Sequence, residues 1–163
     1  MRWGRHLSST RWTLTRRFPR ATLDAIERAV GESEVRHRGE VRFAIEASLD
    51  VRALRRHETP RDRAVEVFSE LRVGNTREHN GVLIYVLLAE RVVEVVADVG
   101  LEGRVSADEW RTVCATIETE FGAGRWREGA LLGVDAVTRL LAREFPRTSA
   151  PDTNEQPNRP TLL

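Results

Sequence analysis

Four oxygen-bearing side chains stand at the two ends of one predicted β-hairpin. Glu78 and Asn80 come just before a short apolar run, and Asp98 and Glu102 come just after the next one. In an antiparallel pair, the start of the first strand lies beside the end of the second, so these side chains should meet at the open end of the hairpin. Carboxylate and amide oxygens are ligands that Ca²⁺ and Mg²⁺ prefer. The spacing therefore predicts a divalent-cation site at Glu78, Asn80, Asp98 and Glu102.

The same residues also fit a simpler interpretation. Asn80-Gly81 is a turn sequence, in which the asparagine side chain bonds the local backbone and the glycine allows a positive φ. The acidic residues would then be solvated parts of a loop. The spacing alone leaves both interpretations open.

Two other polar groups have ordinary structural explanations. Glu46 and Asp50 lie near the exit of the first predicted strand, where α/β proteins often bind ligands. The arginine-rich segment that follows them favours a solvated surface loop. His37 and Glu40 flank Gly39, and a capped turn explains them more simply than a general base held by a carboxylate.

No known catalytic signature supports an enzyme. The 26 basic residues include no lysine, which a Walker loop requires. Glu120 stands where a Cys-x5-Arg phosphatase loop starting at Cys114 would need arginine. Gly122-x-Gly124 lacks the third glycine of the dinucleotide fingerprint, and no serine lies in a G-x-S-x-G elbow. The sequence leaves open whether the chain is an enzyme.

Composition is that of an ordinary single domain. The 163 residues are 40% hydrophobic and 31% charged, with a formal net charge of +1, so no global field attracts nucleic acid. The single cysteine, Cys114, excludes an internal disulfide and a Cys-based zinc site. The chain contains neither a membrane-spanning apolar stretch nor the apolar core of a signal peptide, so we expect a cytoplasmic location.

Hydrophobic periodicity predicts the element order α-β-α-β-β-α-α. The predicted helices cover about residues 19–34, 59–71, 106–121 and 126–145, and the predicted strands cover 40–49, 82–88 and 92–97. A helix joins the first two strands, which can therefore be parallel, and a tight turn makes the third antiparallel. The fold class predicted is α/β, a small mixed sheet with helices on both faces.

Both ends of the chain differ from this core. Residues 1–20 carry six arginines, no acid and interleaved aromatic residues. They fit a segment packed on the domain, an arm on an anionic membrane surface, or a transit peptide. Residues 147–163 carry three prolines among polar residues, which predicts a disordered or extended tail. We therefore expect a basic arm at 1–20, a domain at 21–146 and a tail at 147–163.

Several motifs are shared with one protein family. They are HRGEVRFA at 37–44, NGVLI at 80–84, VVAD at 95–98, GLE at 100–102 and FGAGRWREG at 121–129. Over about residues 34–145 the chain resembles TPM domains, and in particular a bacterial cytosolic branch of them.

This resemblance implies a three-layer α/β/α Rossmann-like sandwich. It also implies three functional properties of the family: binding of Ca²⁺ or another divalent cation, weak acid phosphatase activity, and association with LemA-type membrane proteins. We therefore expect an accessory or interaction domain that binds a divalent cation and acts with a membrane-protein partner. Contact of residues 1–20 with a membrane surface stays one of the alternatives for that segment. The alternative is a weak metal-assisted acid phosphatase.

Overall fold

The computed structural model describes residues 11–50, 53–54, 56–148 and 154–163. Its helices are α1 (Arg11–Arg17), α2 (Arg20–Ser33), α3 (Pro60–Glu70), α4 (Ala107–Gly122) and α5 (Trp126–Glu144). Its strands are β1 (Glu40–Glu46), β2 (Gly81–Leu87), β3 (Val92–Ala97) and β4 (Thr161–Leu162). One 3-10 turn, Val99–Leu101, follows β3. The predicted order of elements is therefore present, with α1 and β4 in addition.

The four strands form one mixed sheet in the order β3-β2-β1-β4. β1 runs parallel to β2 from Glu40 opposite Gly81 to Glu46 opposite Leu87. β2 and β3 are the antiparallel hairpin, and Val82 lies opposite Ala97 near its open end. β4 pairs in parallel with the other edge of β1. The α/β class and the mixed sheet predicted from the sequence are confirmed.

Helices cover both faces of the sheet, so the molecule has three layers. On one face, Phe43 and Ile84 pack in the larger core with residues of α2, α4 and α5, such as Ile117 and Leu141. On the other face, a second core joins Ala44, Leu83 and Tyr85 to Ala64 and Val67 of α3. All residues of β1 and β2 are buried, which explains why β2 is an unbroken apolar run.

Two helices begin at the capping boxes that the sequence predicts. Thr59 accepts a hydrogen bond from the backbone of Asp62, and the Asp62 side chain accepts one from the Thr59 backbone. Ser106 and Glu109 do the same for α4. These caps fix where α3 begins after the β1 loop and where α4 begins after the hairpin.

Helix α1 and the residue that follows it also contact this core. Leu14 of α1 and Phe18 after it are buried, whereas Trp12 is 66% exposed. Phe18 meets Phe121 edge to face, with ring centroids 5.8 Å apart. Residues 1–10, half of the predicted basic arm, lie outside the described residues. No helix within the described ranges is long and apolar enough to cross a membrane.

Candidate functional site

Backbone contacts hold the open end of the hairpin together. The amide of Asp98 donates to the carbonyl of Gly81, and the amide of Gly100 donates to the carbonyl of His79, both at 2.9 Å. Position 100 has to be glycine, because a Cβ there would lie only 2.4 Å from the His79 oxygen. The segment before β2 is therefore fixed against the segment after β3.

Glu78 and Asn80, two of the four predicted ligands, lie together beside Arg38. The Glu78 carboxylate forms an ion pair with the Arg38 guanidinium. Asn80 Nδ2 donates to the Arg38 carbonyl at 2.9 Å and approaches Glu78 Oε2 at 3.4 Å. These contacts tie the chain before β1 to the start of β2. The Glu78 carboxylate is thus already paired with the guanidinium of Arg38.

Asp98 presents a different situation. Its side chain is 11% exposed, and Oδ1 accepts a hydrogen bond from Val99 N at 2.8 Å, which caps the 3-10 turn. Oδ2 is buried and has no hydrogen-bond donor within the described part of the chain. His79 Nδ1 lies 3.5 Å from it and forms an ion pair with it only when the imidazole is charged. A buried carboxylate oxygen without a donor is costly, and a bound cation would satisfy it.

Asp98 and Glu102 line one cleft of about 300 Å³ between the end of β3 and the start of α4. Trp110 and Arg61 line the same cleft. Arg61 Nη1 donates to the Val95 carbonyl at 2.5 Å, which holds the guanidinium at the wall. The lining of the cleft therefore includes two acidic residues, one arginine and one tryptophan.

The predicted ligands are thus found in two pairs rather than in one cluster. Glu78 and Asn80 are joined through Arg38, and Asp98 and Glu102 share the cleft. Over the ranges that the structure describes, no group of three or more His, Cys, Asp or Glu side chains could hold one metal ion. Two oxygens of the predicted ligands, Asn80 Oδ1 and Asp98 Oδ2, are buried without a hydrogen-bond donor in the described structure, and the second belongs to a residue that lines the cleft together with Glu102.

The expectation that Glu46 is a solvated charge was wrong. Glu46 is only 8% exposed, and its Oε2 accepts hydrogen bonds from the Tyr85 hydroxyl at 2.6 Å and Arg63 Nε at 3.0 Å. β1 has helices on both faces, so its polar positions are buried as well as its apolar ones. Asp50, by contrast, is exposed, and its Oδ1 accepts a hydrogen bond from Ala53 N at 2.7 Å.

This second polar group is an ion-pair network rather than an open site. Burial, with the charge of Glu46 added, raises the pKa of Tyr85, so the phenol stays protonated and donates. Burial alone would lower the pKa of Arg63, but the carboxylates of Glu70 and Glu46 outweigh it and raise that pKa. Glu46, Arg63 and Glu70 line an adjoining cleft of about 320 Å³. The network fastens α3 to the sheet.

One signal in the sequence could have revealed this network. Glu46 is opposite Leu87 in the parallel register, and Tyr85 is two residues before Leu87 on the same face of the sheet. A glutamate and a tyrosine on the same face of neighbouring strands are within hydrogen-bonding reach once that face is covered.

Comparison with known proteins agrees with this architecture. The TPM domain family model matches residues 15–140. Among solved structures, the chain is similar to the NMR structure of the BA42 protein from the psychrophilic bacterium Bizionia argentinensis. The TM-score is 0.77 and the sequence identity 30%, over 88% of this chain and 93% of that one. The search of curated proteins found no match.

Proposed function

This chain belongs to the TPM domain family, and from that premise we propose that it is an accessory domain that binds a divalent cation at the cleft of Asp98 and Glu102. One observation carries the proposal: Asp98 Oδ2 is a buried carboxylate oxygen without a hydrogen-bond donor among the described residues. Glu102 adds a second carboxylate to the same cleft. Glu78 and Asn80 have a structural role next to this site, because their contacts with Arg38 fix the start of β2.

The donor set suits a weak and adaptable site. Two carboxylates are fewer than the ligands of a tight calcium loop, so backbone or water oxygens would complete the coordination. Ca²⁺ accepts irregular oxygen geometry, whereas Mg²⁺ demands a near-ideal octahedron. We therefore expect Ca²⁺ to bind better than Mg²⁺, with a dissociation constant of about 10⁻⁴ to 10⁻³ M, the range of weak extracellular calcium modules.

The cation site predicts a difference between two variants of metal-stripped protein. Wild type and Glu78→Gln should both show a saturable rise in Tm with Ca²⁺, because Asp98 is intact in each. Asp98→Asn should show none. At a Ca²⁺ concentration 100 times Kd the stabilisation should be about 2.7 kcal/mol. A Tm rise in Asp98→Asn equal to that of wild type would contradict the proposal. Loss of the rise in Glu78→Gln would instead favour a site that includes all four predicted ligands.

A weak metal-assisted phosphatase is the second candidate, and the position of Arg61 favours it. Its guanidinium lies in the same cleft as Asp98 and Glu102, where it could bind a phosphoryl oxygen. A cation there would polarise that oxygen and orient a water. This candidate requires Ca²⁺- or Mg²⁺-dependent phosphate release that is lost in both Asp98→Asn and Arg61→Gln. Release that either variant retains would be assigned to a contaminant.

The proposed accessory role also requires a protein partner. Family membership supports a membrane protein of the LemA type. Co-sedimentation of the chain with vesicles that carry such a protein, and not with the same vesicles lacking it, would support this partner. Equal co-sedimentation with both kinds of vesicle would exclude it.

A further inference from the structure

The C-terminal segment 154–163 covers the edge of β1. Thr161 and Leu162 lie beside Ala44 and Ile45 in a parallel ladder, and Leu163 N donates to the Ile45 carbonyl at 2.9 Å. Further contacts run along the segment, including one from Glu155 N to Glu40 Oε1 at 3.0 Å. This is the geometry of strand addition, in which an extended peptide completes an open sheet edge.

Arg42 is buried beneath this segment. Its residue exposure is 6%, and its two terminal nitrogens donate to the Pro157 carbonyl at 2.5 Å and the Thr161 hydroxyl at 2.7 Å. Arg42 Nε has no hydrogen-bond partner within the described ranges. Both acceptors are neutral, and burial lowers the pKa of Arg42 without an opposing carboxylate among its causes. The guanidinium is therefore enclosed without an ion-pair partner among the described residues.

An ionised guanidinium in this setting favours an anionic neighbour. Burying a charge without its opposite is costly, whereas an arginine–carboxylate pair forms short, charge-assisted and often bidentate hydrogen bonds. The hydroxyl of Thr161 occupies the place where a carboxylate would make such a pair. The edge of β1 is consequently better matched to an acidic strand than to the strand that covers it.

The covering segment is also held in a way that allows release. Of its ten residues only Gln156 and Pro160 are buried, and Leu162 and Leu163 remain 45% and 38% exposed. Arg159 pairs with Asp24 and Glu27, but all three side chains are more than 40% exposed, and exposed ion pairs contribute little. Release would therefore uncover little apolar surface of the segment itself.

The opposite edge of the sheet offers no comparable site in the described structure. The Val93 amide donates to Glu118 Oε1 at 2.9 Å, and the Val95 carbonyl accepts from Arg61 Nη1 at 2.5 Å. Glu118 and Arg61 belong to α4 and α3, which are packed on the core. The edge of β3 is thus closed by side chains of helices that are packed on the core, whereas the edge of β1 is closed by an extended segment.

We propose that the edge of β1, with Arg42 at its centre, binds an extended acidic segment of a partner protein, in which an aspartate takes the place of Thr161. The chain's own segment 154–163 is the neutral occupant that the partner displaces. The proposal does not depend on a cation at Asp98, and its tests leave the cleft of Asp98 and Glu102 unchanged. The two proposals can therefore fail separately.

The first test places the carboxylate in the full-length chain. Thr161→Asp introduces the acid, and Thr161→Asn is its neutral control of nearly equal size. Pairing with Arg42 should slow hydrogen exchange of the Leu163 amide by roughly 10- to 100-fold relative to Thr161→Asn, the gain expected for a hydrogen bond to a charged partner. Equal exchange in the two variants would overturn the acidic preference, without requiring any change to Arg42.

The second test supplies the segment from outside. Two labelled ten-residue peptides with the sequence of residues 154–163, one carrying Thr161→Asp and the other Thr161→Asn, are titrated by fluorescence anisotropy into the full-length wild type and into Arg42→Gln. The acidic peptide should bind wild type roughly 10- to 100-fold more tightly, and this difference should vanish in Arg42→Gln.

Each remaining outcome of the peptide titration counts against the proposal. Failure of both peptides to bind wild type would show that the segment is a permanent part of the fold. Equal binding of both would show an edge without charge preference, suited to the same segment of a second copy of this chain. If Arg42→Gln does not fold, as judged by circular dichroism, Arg42→Lys replaces it. It keeps the charge but loses the planar fork, so the difference between peptides should shrink.

Discussion

At the scale of single residues, the candidate site depends on a close approach of backbones at Gly81. A Cβ at this position would lie 2.1 Å from the Val73 carbonyl oxygen and 2.9 Å from its carbon. Both atoms belong to the main chain, so no side chain can move aside to make room. Gly81 lets the loop before β2 fold onto the first residue of the strand.

Gly81→Ala should therefore be strongly destabilising, by at least about 3 kcal/mol, the upper range for an overpacked interior. The matched control is Gly122→Ala, at the last residue of α4, where an added Cβ would meet no described atom within 4 Å. The control should change stability by no more than about 1 kcal/mol and in the favourable direction. Urea unfolding of both variants measures the difference. A change in the free energy of unfolding of Gly81→Ala as small as that of the control would show that the loop before β2 can move away.

The sequence was sufficient to predict that Asp98 and Glu102 lie together at the open end of the hairpin. It was not sufficient to predict that Arg42 and Glu46 are buried. The first two follow from the register of one hairpin, which is a local property. The burial of Arg42 depends on a segment more than a hundred residues away, and that of Glu46 depends on α3 packing over the strand. Neither covering element is visible in the residues around the charge.

At the scale of elements, Glu109 joins two helices through one carboxylate. Oε2 accepts from the backbone and the hydroxyl of Ser106, both at 2.9 Å, and Oε1 accepts from Arg143 Nη1 of α5 at 2.6 Å. The Arg143 guanidinium, followed by the contacts with Ser106, lowers the pKa of Glu109 to about 2. The start of α4 is thereby tied to the end of α5.

This contact should give the stability a defined pH dependence. A lowered carboxyl pKa contributes stability above the unfolded value of 4.5, and that contribution is lost as the pH falls through the folded value of about 2. The gap in Tm between wild type and Glu109→Gln should therefore be constant above about pH 5.5 and narrow between 4.5 and 2. Thermal melts at each pH test this. A gap that keeps its full size at pH 2 would refute the assignment.

The elements that the sequence predicted are those with a repeating pattern. β3 has the predicted bounds, Val92–Ala97, and the caps at Thr59 and Ser106 mark the starts of two helices. α1 and β4 were missed for a physical reason. A seven-residue helix shows barely two turns of periodicity, and a two-residue strand exists only because β1 offers it a partner.

At the scale of the whole molecule, the two polar groups lie at opposite ends of the sheet. The Glu46–Tyr85–Arg63 network follows the carboxyl ends of the parallel strands, where α/β proteins usually bind ligands. The cleft of Asp98 and Glu102 lies at the other end, beside the first residue of β2. The usual ligand end is thus lined by ion-paired side chains, and the candidate site is built on the hairpin instead.

The segment 154–163, which covers the edge of β1, also bears on the tendency of the protein to aggregate at high concentration. An uncovered strand edge is a template for aggregation, because its amides and carbonyls can pair with any other extended chain. Cleavage by a protease before residue 154 would leave the helices and β3 in place but expose this edge.

Protein lacking residues 154–163 should therefore keep its helical circular dichroism while light scattering rises with time and concentration. Scattering no faster than that of the intact chain would show that the edge is protected in another way. We therefore expect residues 154–163 to suppress self-association. A chain that has lost them should aggregate although its core remains folded.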